Sequence, residues 1–240
     1  MIGFEAQPAE CARLNETHGP AGHTYLPYVI GDGSARTFYL TRHPPASSLY
    51  EPDAALVGMF QTLGELHQVV RTEPVQTRRL DDLAEQVGEV DLVKLDTQGA
   101  ELDILRGGQR TLRNALVIHT EIEFVPLYKN QPLFSDIDPA ARALGFQFLK
   151  FYSTAGRPFV PLVMNNDPAK RISQMLWGDA VFVRDFMALD ALPPERLVKL
   201  ALIAHEVYGA FDLAHLALAR YDRAAGGALA RAYLARLTQG

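Results

Sequence analysis

Val90-Asp91-Leu92-Val93-Lys94-Leu95-Asp96, running on into Thr97-Gln98-Gly99-Ala100-Glu101, decides the fold. A short apolar run that ends on an acid, turns at a glycine and restarts at a second acid reads as strand, turn and helix. So apolar a strand needs cover on both faces, which is what a parallel sheet provides. Downstream, Ala115-Leu116-Val117-Ile118-His119 repeats the pattern and ends in Thr120-Glu121-Ile122-Glu123. A helix is expected over 135–144, closed by Gly145 in the position that favours glycine. Residues 146–151 and 180–183 are the last two expected strands.

Upstream, Met1-Ile2-Gly3-Phe4-Glu5 reads as a strand ending in an acid, with Pro8 opening a helix over 9–16. Residues 25–30 form another expected strand, closed by the turn Gly31-Asp32-Gly33, and 37–40 a further one. Residues 73–79 alternate weakly and lead into Leu80-Asp81-Asp82-Leu83, where an Asp can cap a short helix. Strands alternating with helices call for an α/β layer architecture around a largely parallel sheet. From Pro193 the pattern is helical only, with Leu197, Leu200, Ala201, Ala204 and Tyr208 at helical spacing and Gly226-Gly227 between later helices. The expected division is an α/β domain over 1–189 and a helical extension over 190–240 that serves packing or dimerisation.

The 240 residues are 48% apolar and 21% charged, which excludes a disordered or fibrous chain. Lys and Arg number 23 against 28 Asp and Glu, a formal charge of −5, so no nucleic-acid binding through bulk electrostatics is expected. The single cysteine, Cys11, excludes an internal disulfide framework and fits a reducing compartment. No apolar run is long enough to span a bilayer and the first residues lack a secretory pattern, so a cytoplasmic protein without membrane contact is expected. Neither a Gly-x-Gly-x-x-Gly loop, a Walker loop, a Gly-x-Ser-x-Gly elbow nor a paired-cysteine motif occurs.

In open α/β sheets ligands bind at the carboxyl ends of the strands, and the acids there are Glu5, Asp96, Glu121 and Glu123. Glu5 ends a strand where an acid can accept both hydroxyls of a ribose; it can equally be a solvated acid or a cap for the helix after Pro8. Asp96 ends a buried strand, so it must be hydrated, paired with Lys94 on the same face, or functional. Glu101 falls in the first turn of a helix, where the dipole favours a carboxylate by roughly 0.3–1 kcal/mol. His119, Glu121 and Glu123 share one strand face, so this strand end faces a cleft. A metal there would need a third ligand from elsewhere, and none is expected.

The run from Val93 to Gly108, with its Asp-Thr-Gln-Gly-Ala-Glu core, closely resembles the FkbM family of S-adenosylmethionine-dependent methyltransferases. Further segments in the same order are Ile2-Gly3-Phe4-Glu5 with Pro8, Ser47-Ser48-Leu49, Arg79-Leu80-Asp81-Asp82-Leu83, Glu121-Ile122-Glu123-Phe124 with Leu127-Tyr128, Gln131-Pro132-Leu133-Phe134 and Leu144-Gly145-Phe146. The resemblance covers roughly 1–185 and implies a Rossmann-like class I methyltransferase sheet of seven strands. It implies S-adenosylmethionine as methyl donor and O-methylation of a sugar or other small-molecule hydroxyl. By the same resemblance Glu5 binds the ribose, Asp96 and its neighbour Gln98 lie near the sulfonium, and Asp32 lies near the adenine. Asp96, His119 and Glu121, in that order, are the candidates for taking the acceptor's proton.

One departure stands out. Family members carry a first strand with an Asp-x-Gly-Ala-Asn-x-Gly-like loop ahead of the Gly-Phe-Glu strand, and this sequence begins after it. A sheet lacking its first strand, interrupted beside 1–5 and 90–96, is therefore expected, through a mis-set start codon or a truncated gene. The rival readings are a non-catalytic remnant acting as an interaction module and an unrelated nucleotide-sugar enzyme. The acceptor, a small molecule or glycan, is not named by any motif. The segments that would select it are 47–68 and 152–166, where Tyr152, Arg157, Asn165 and Asn166 are the polar candidates. The C-terminal helices are the expected surface for a homo-oligomer.

Overall fold

A computed structural model describes residues 1–237. Its elements, in chain order, are β1 (Ile2–Phe4), α1 (Pro8–His18), β2 (Thr24–Leu26), β3 (Ala35–Thr41), α2 (Ala54–Val57), α3 (Leu63–Leu66) and β4 (Val69–Gln76). They continue as α4 (Ala84–Val87), β5 (Leu92–Leu95), α5 (Glu101–Gly107), β6 (Val117–Glu123), α6 (Phe134–Ala143), β7 (Phe146–Ala155) and β8 (Trp177–Arg184). The chain closes with α7 (Pro194–Glu206), α8 (Phe211–Ala225) and α9 (Leu229–Leu237). The last three residues of the helical extension read over 190–240 lie outside the described residues.

Among the described residues the strands form a parallel pair β1–β2, an antiparallel ribbon β3–β4 and a four-stranded sheet ordered β5-β6-β8-β7. The expectation of a largely parallel sheet needs correction. β5 and β6 run parallel, but β8 is antiparallel to both β6 and β7. Parallel neighbours need a crossover, which α5 supplies between β5 and β6. Between β7 and β8 there is only a loop, so the chain reverses and β8 inserts beside β6.

The pleat of β6 divides the core. Ile118 and Ile122 face one side with Phe182 of β8, under Leu102 and Leu105 of α5 and Ile137 and Ala141 of α6. Val117 faces the other with Val181 and Val183, under Leu197, Leu200 and Ala204 of α7 and Leu213 and Ala217 of α8. The sheet is thus covered by helices on both faces, which is why β6 reads as an almost unbroken buried run. Phe4 of β1 and Val93 of β5 pack against the first of these layers, although they belong to different sheets. A third apolar group, with Leu63, Leu127, Tyr128 and Leu176, lies under α2 and α3 and walls the site described below.

Three local expectations change. The strand read over 25–30 stops at Leu26, because Pro27 has no N–H for the ladder; Ile30 makes only an isolated bridge to Arg78. β5 is not buried on both faces: Leu95 is buried, whereas the Lys94 side chain is half exposed. Asp81 does not cap its own helical turn but accepts the backbone N–H groups of Arg110 and Thr111, at 3.1 and 2.8 Å. Among the described residues no helix is long and apolar enough to cross a membrane.

Candidate active site

The site grows from the turn after β5. Gln98 and Gly99 both have positive φ, +55° and +109°. A Cβ on Gly99 would stand 3.2 Å from the Gln131 amide nitrogen and 3.4 Å from the Tyr50 ring, so glycine is required twice over. Gln98 has no such licence, and its left-handed backbone is held by its neighbours. The Ser48 hydroxyl donates to the Gln98 carbonyl at 2.6 Å. The Glu101 carboxyl accepts the Thr97 N–H at 2.6 Å, the Thr97 hydroxyl at 2.9 Å and the Gly99 N–H at 2.9 Å. Glu101 is therefore no solvated first-turn acid: it is 2% exposed and turned back to organise the loop. Burial raises its pKa against the pull of those donors.

Held this way, the Gln98 side chain bridges two strand ends. Its amide nitrogen donates to Asp96 Oδ1 at 3.2 Å and to Glu121 Oε2 at 2.5 Å. The Tyr128 hydroxyl lies 3.2 Å from Gln98 Oε1 and 2.9 Å from the Ala46 carbonyl. Lys94 Nζ reaches Asp96 Oδ2 and Asp179 Oδ1, both at 3.2 Å. Asp179, paired with Glu121 across β6 and β8, also accepts the Ser153 hydroxyl at 2.7 Å and meets His119 Nε2 at 3.1 Å. His119 Nδ1 lies 3.3 Å from the hydroxyl of Tyr208, in the turn after α7.

The electrostatics separate these groups. Burial, and then the charges of Asp96, Glu101 and Asp179, push Glu121 up to about 9, so it holds its proton at neutral pH. Glu123 is raised well above the carboxylate range by burial and by Glu101 and Glu121. Burial also works on Asp179, yet the Ser153 hydroxyl and the Lys94 ammonium outweigh it and hold its pKa down. His119 is lowered, by burial first and by Lys94 second.

Of the residues expected from the sequence, Asp96, Gln98 and Glu121 converge directly, and His119 joins them through Asp179 and Lys94. Glu5 and Asp32 make no contact with this group among the described residues. Glu5 sits just past β1, where Oε1 accepts the Gln7 N–H at 2.8 Å. Asp32 closes a turn: Oδ1 accepts the Ser34 N–H at 2.9 Å and its hydroxyl at 2.6 Å, which lowers its pKa. Among the described residues no three His, Cys, Asp or Glu converge as a ligand set for a metal, because His119 and Glu121 are drawn to different partners. Sequence reasoning missed Asp179 and Tyr128. Asp179 had a readable signal, an acid directly before an apolar strand; Tyr128 had only its place in a family-like segment.

Beside Gln98, Glu121 and Glu123 lies a cavity of about 190 Å³. Its other walls include Leu63, His67, Arg157 and Trp177, so both segments expected to select an acceptor contribute to it. Asn165 and Asn166, named with Arg157 from the sequence, are exposed and adopt positive φ, a turn geometry that asparagine tolerates. A larger cavity of about 450 Å³ between α5 and α6 shares no wall residue with the site.

Residues 1–148 match the family model for the methyltransferase FkbM domain. The chain belongs to that family. The FkbM match takes in Glu5, Asp32, Asp96, Gln98, His119 and Glu121, while Arg157, Trp177, Asp179 and the C-terminal helices lie beyond it. A curated relative, the 2-O-methyltransferase NoeI of Sinorhizobium fredii (strain NBRC 101917 / NGR234), is 34% identical over 148 residues. That alignment covers 58% of this chain and 60% of the relative, so the chain spans about 60% of the length of the curated protein it matches. No solved structure matches the FkbM chain at a significant level.

Proposed function

We propose that this FkbM-family chain is an S-adenosylmethionine-dependent methyltransferase acting on a hydroxyl of a sugar or other small molecule. The observation that carries the reading is the convergence of Asp96, Gln98 and Glu121 at the carboxyl ends of two adjacent parallel strands, β5 and β6. The residues present suit the methyl donor. Glu5 Oε2 has no hydrogen-bond partner among the described residues, leaving an acceptor for a ribose diol. Asp96, half exposed, and Gln98 are assigned to the sulfonium end, and Asp32, with its carboxylate 43% exposed, to the adenine end.

Asp96, His119 and Glu121 divide the work on the acceptor. Asp96 is held by Lys94 and Gln98 and keeps an open flank. Glu121 carries a proton at neutral pH, so it donates a hydrogen bond to the acceptor's oxygen and becomes a base only near pH 9. His119, with both ring nitrogens engaged, orients Asp179. Most of the catalysis then comes from alignment of the hydroxyl with the activated methyl group.

Calorimetric titration with S-adenosylhomocysteine tests this directly. Binding is expected, and Glu5→Ala should weaken it about tenfold, about 1.4 kcal/mol. A flat titration on a folded sample would sink the reading and leave a non-catalytic interaction module.

A further inference from the structure

We propose that His67 receives the acceptor's hydroxyl proton, the acceptor being seated in the cavity beside the Gln98 turn. This rests on the methyltransferase reading above. His67 follows α3 and lines the same cavity as Gln98 and Glu121. Its Nδ1 lies 2.9 Å from the Leu63 carbonyl oxygen. A carbonyl only accepts, so the proton on that bond belongs to the imidazole. The neutral ring is thereby locked as the Nδ1–H tautomer with its lone pair on Nε2. Among the described residues Nε2 has no hydrogen-bond partner.

The surroundings keep that ring neutral. His67 is 7% exposed and packs against the Tyr128 ring with centroids 5.5 Å apart. Burial lowers its pKa and outweighs the Leu63 carbonyl, which pulls it up, while the neighbouring His43 lowers it further. The other titratable or charged groups on the cavity wall are Glu121, Glu123 and Arg157; Glu121, pushed up to about 9, holds its proton at neutral pH, and burial raises Glu123 as well. Arg157, stacked over Trp177 at 5.2 Å, is the permanent cation on that wall. The rival bases are less well placed: Asp96 is held by Lys94 and Gln98 and is not on the cavity wall, His119 has both nitrogens engaged, and Glu121 keeps its proton.

In the step, the acceptor's O–H bond breaks, its proton passes to His67 Nε2, and the oxygen's electron pair forms the new bond to carbon. The sulfonium donor supplies the methyl group and keeps the electron pair of the broken S–C bond as a neutral thioether. The imidazolium, disfavoured by burial and by His43, returns the proton to water.

The test uses the full chain. Long-range ¹H–¹⁵N histidine spectra of the unsubstituted protein should show Nδ1 protonated and Nε2 bare at pH 7, with a titration midpoint below about 6.5. In parallel, His67→Gln is compared with the unsubstituted chain for S-adenosylhomocysteine binding and for methyl transfer to a panel of methyl glycosides. The variant should bind S-adenosylhomocysteine unchanged, keep KM for the glycoside within about threefold and lose roughly 10²–10⁴-fold in kcat. The unsubstituted enzyme's kcat should fall as pH drops below the His67 midpoint, and the variant's residual rate should not follow that limb. A proton on Nε2 at pH 7, or a kcat within about threefold in His67→Gln, overturns the assignment. Failure of the unsubstituted chain to bind S-adenosylhomocysteine is a different result, which removes the methyltransferase reading itself.

Discussion

At Gly99 a side chain has neither conformational freedom nor room. With φ at +109° and the Gln131 and Tyr50 side chains against the missing Cβ, Gly99→Ala should lose about 1–3 kcal/mol in urea unfolding. Glu121 makes the opposite kind of prediction. Its folded pKa of about 9 lies above the ordinary value, so the native state binds the extra proton between about pH 4.5 and 9. The stability tied to that proton is fully present below pH 4.5 and is lost as pH rises through 9. Glu121→Gln keeps the Gln98 hydrogen bond and removes the titration, so its stability advantage over the parent should grow from pH 5 to pH 9. Denaturation midpoints at the two pH values check the sign; an advantage that shrinks with pH would contradict it. The strand-end rule made Asp96 and Glu121 legible, because an acid after an apolar run announces itself. Asp179 and Tyr208 were not, since they meet His119 from 60 and 89 residues away, and an acid before an apolar strand or a tyrosine in a helical stripe does not by itself announce that meeting.

For elements, the reversal of β8 is the main departure from what periodicity suggested. An apolar run of four residues reads alike in parallel and antiparallel pairing, and only the connection decides between them. Arg184, the last residue of β8, secures that arrangement. Its guanidinium donates to the carbonyls of Ala115, Leu144, Leu112 and Arg113, and lies 4.0 Å over the Phe146 ring. Burial and the charge of Arg196 push its pKa down to about 10, still charged at neutral pH. Arg184→Ala strips four carbonyls of a charged donor and should cost about 3 kcal/mol or more. Arg184→Lys should recover little, because one ammonium cannot span the planar fork. Urea midpoints of the two variants measure both effects.

For the whole molecule, the question is how far residues 190–237 stand apart from the sheet. Leu116, Val117, Val181 and Val183 are at most 1% exposed, and α7 and α8 are their cover. Arg196 of α7, 6% exposed, is ion-paired with Glu89 and Asp91 ahead of β5 and fastens the layer to the sheet. A chain ending at residue 189 should therefore expose a broad apolar face and aggregate or stay molten. Calorimetry and near-UV circular dichroism decide this; a cooperative transition in the shortened chain would make the helices a true extension.

The sequence by itself determined the strand–turn–helix rhythm, the helical C-terminal region, the acids at the strand ends and the family. Each of these is written in neighbouring residues, through periodicity, capping and a contiguous motif. Only the tertiary structure decided the direction of β8, the inward turn of Glu101, the proton held by Glu121 and the His67 nitrogen that has no partner among the described residues. Those depend on burial and on partners distant in sequence, and the field at a carboxyl or an imidazole is set by what packs around it.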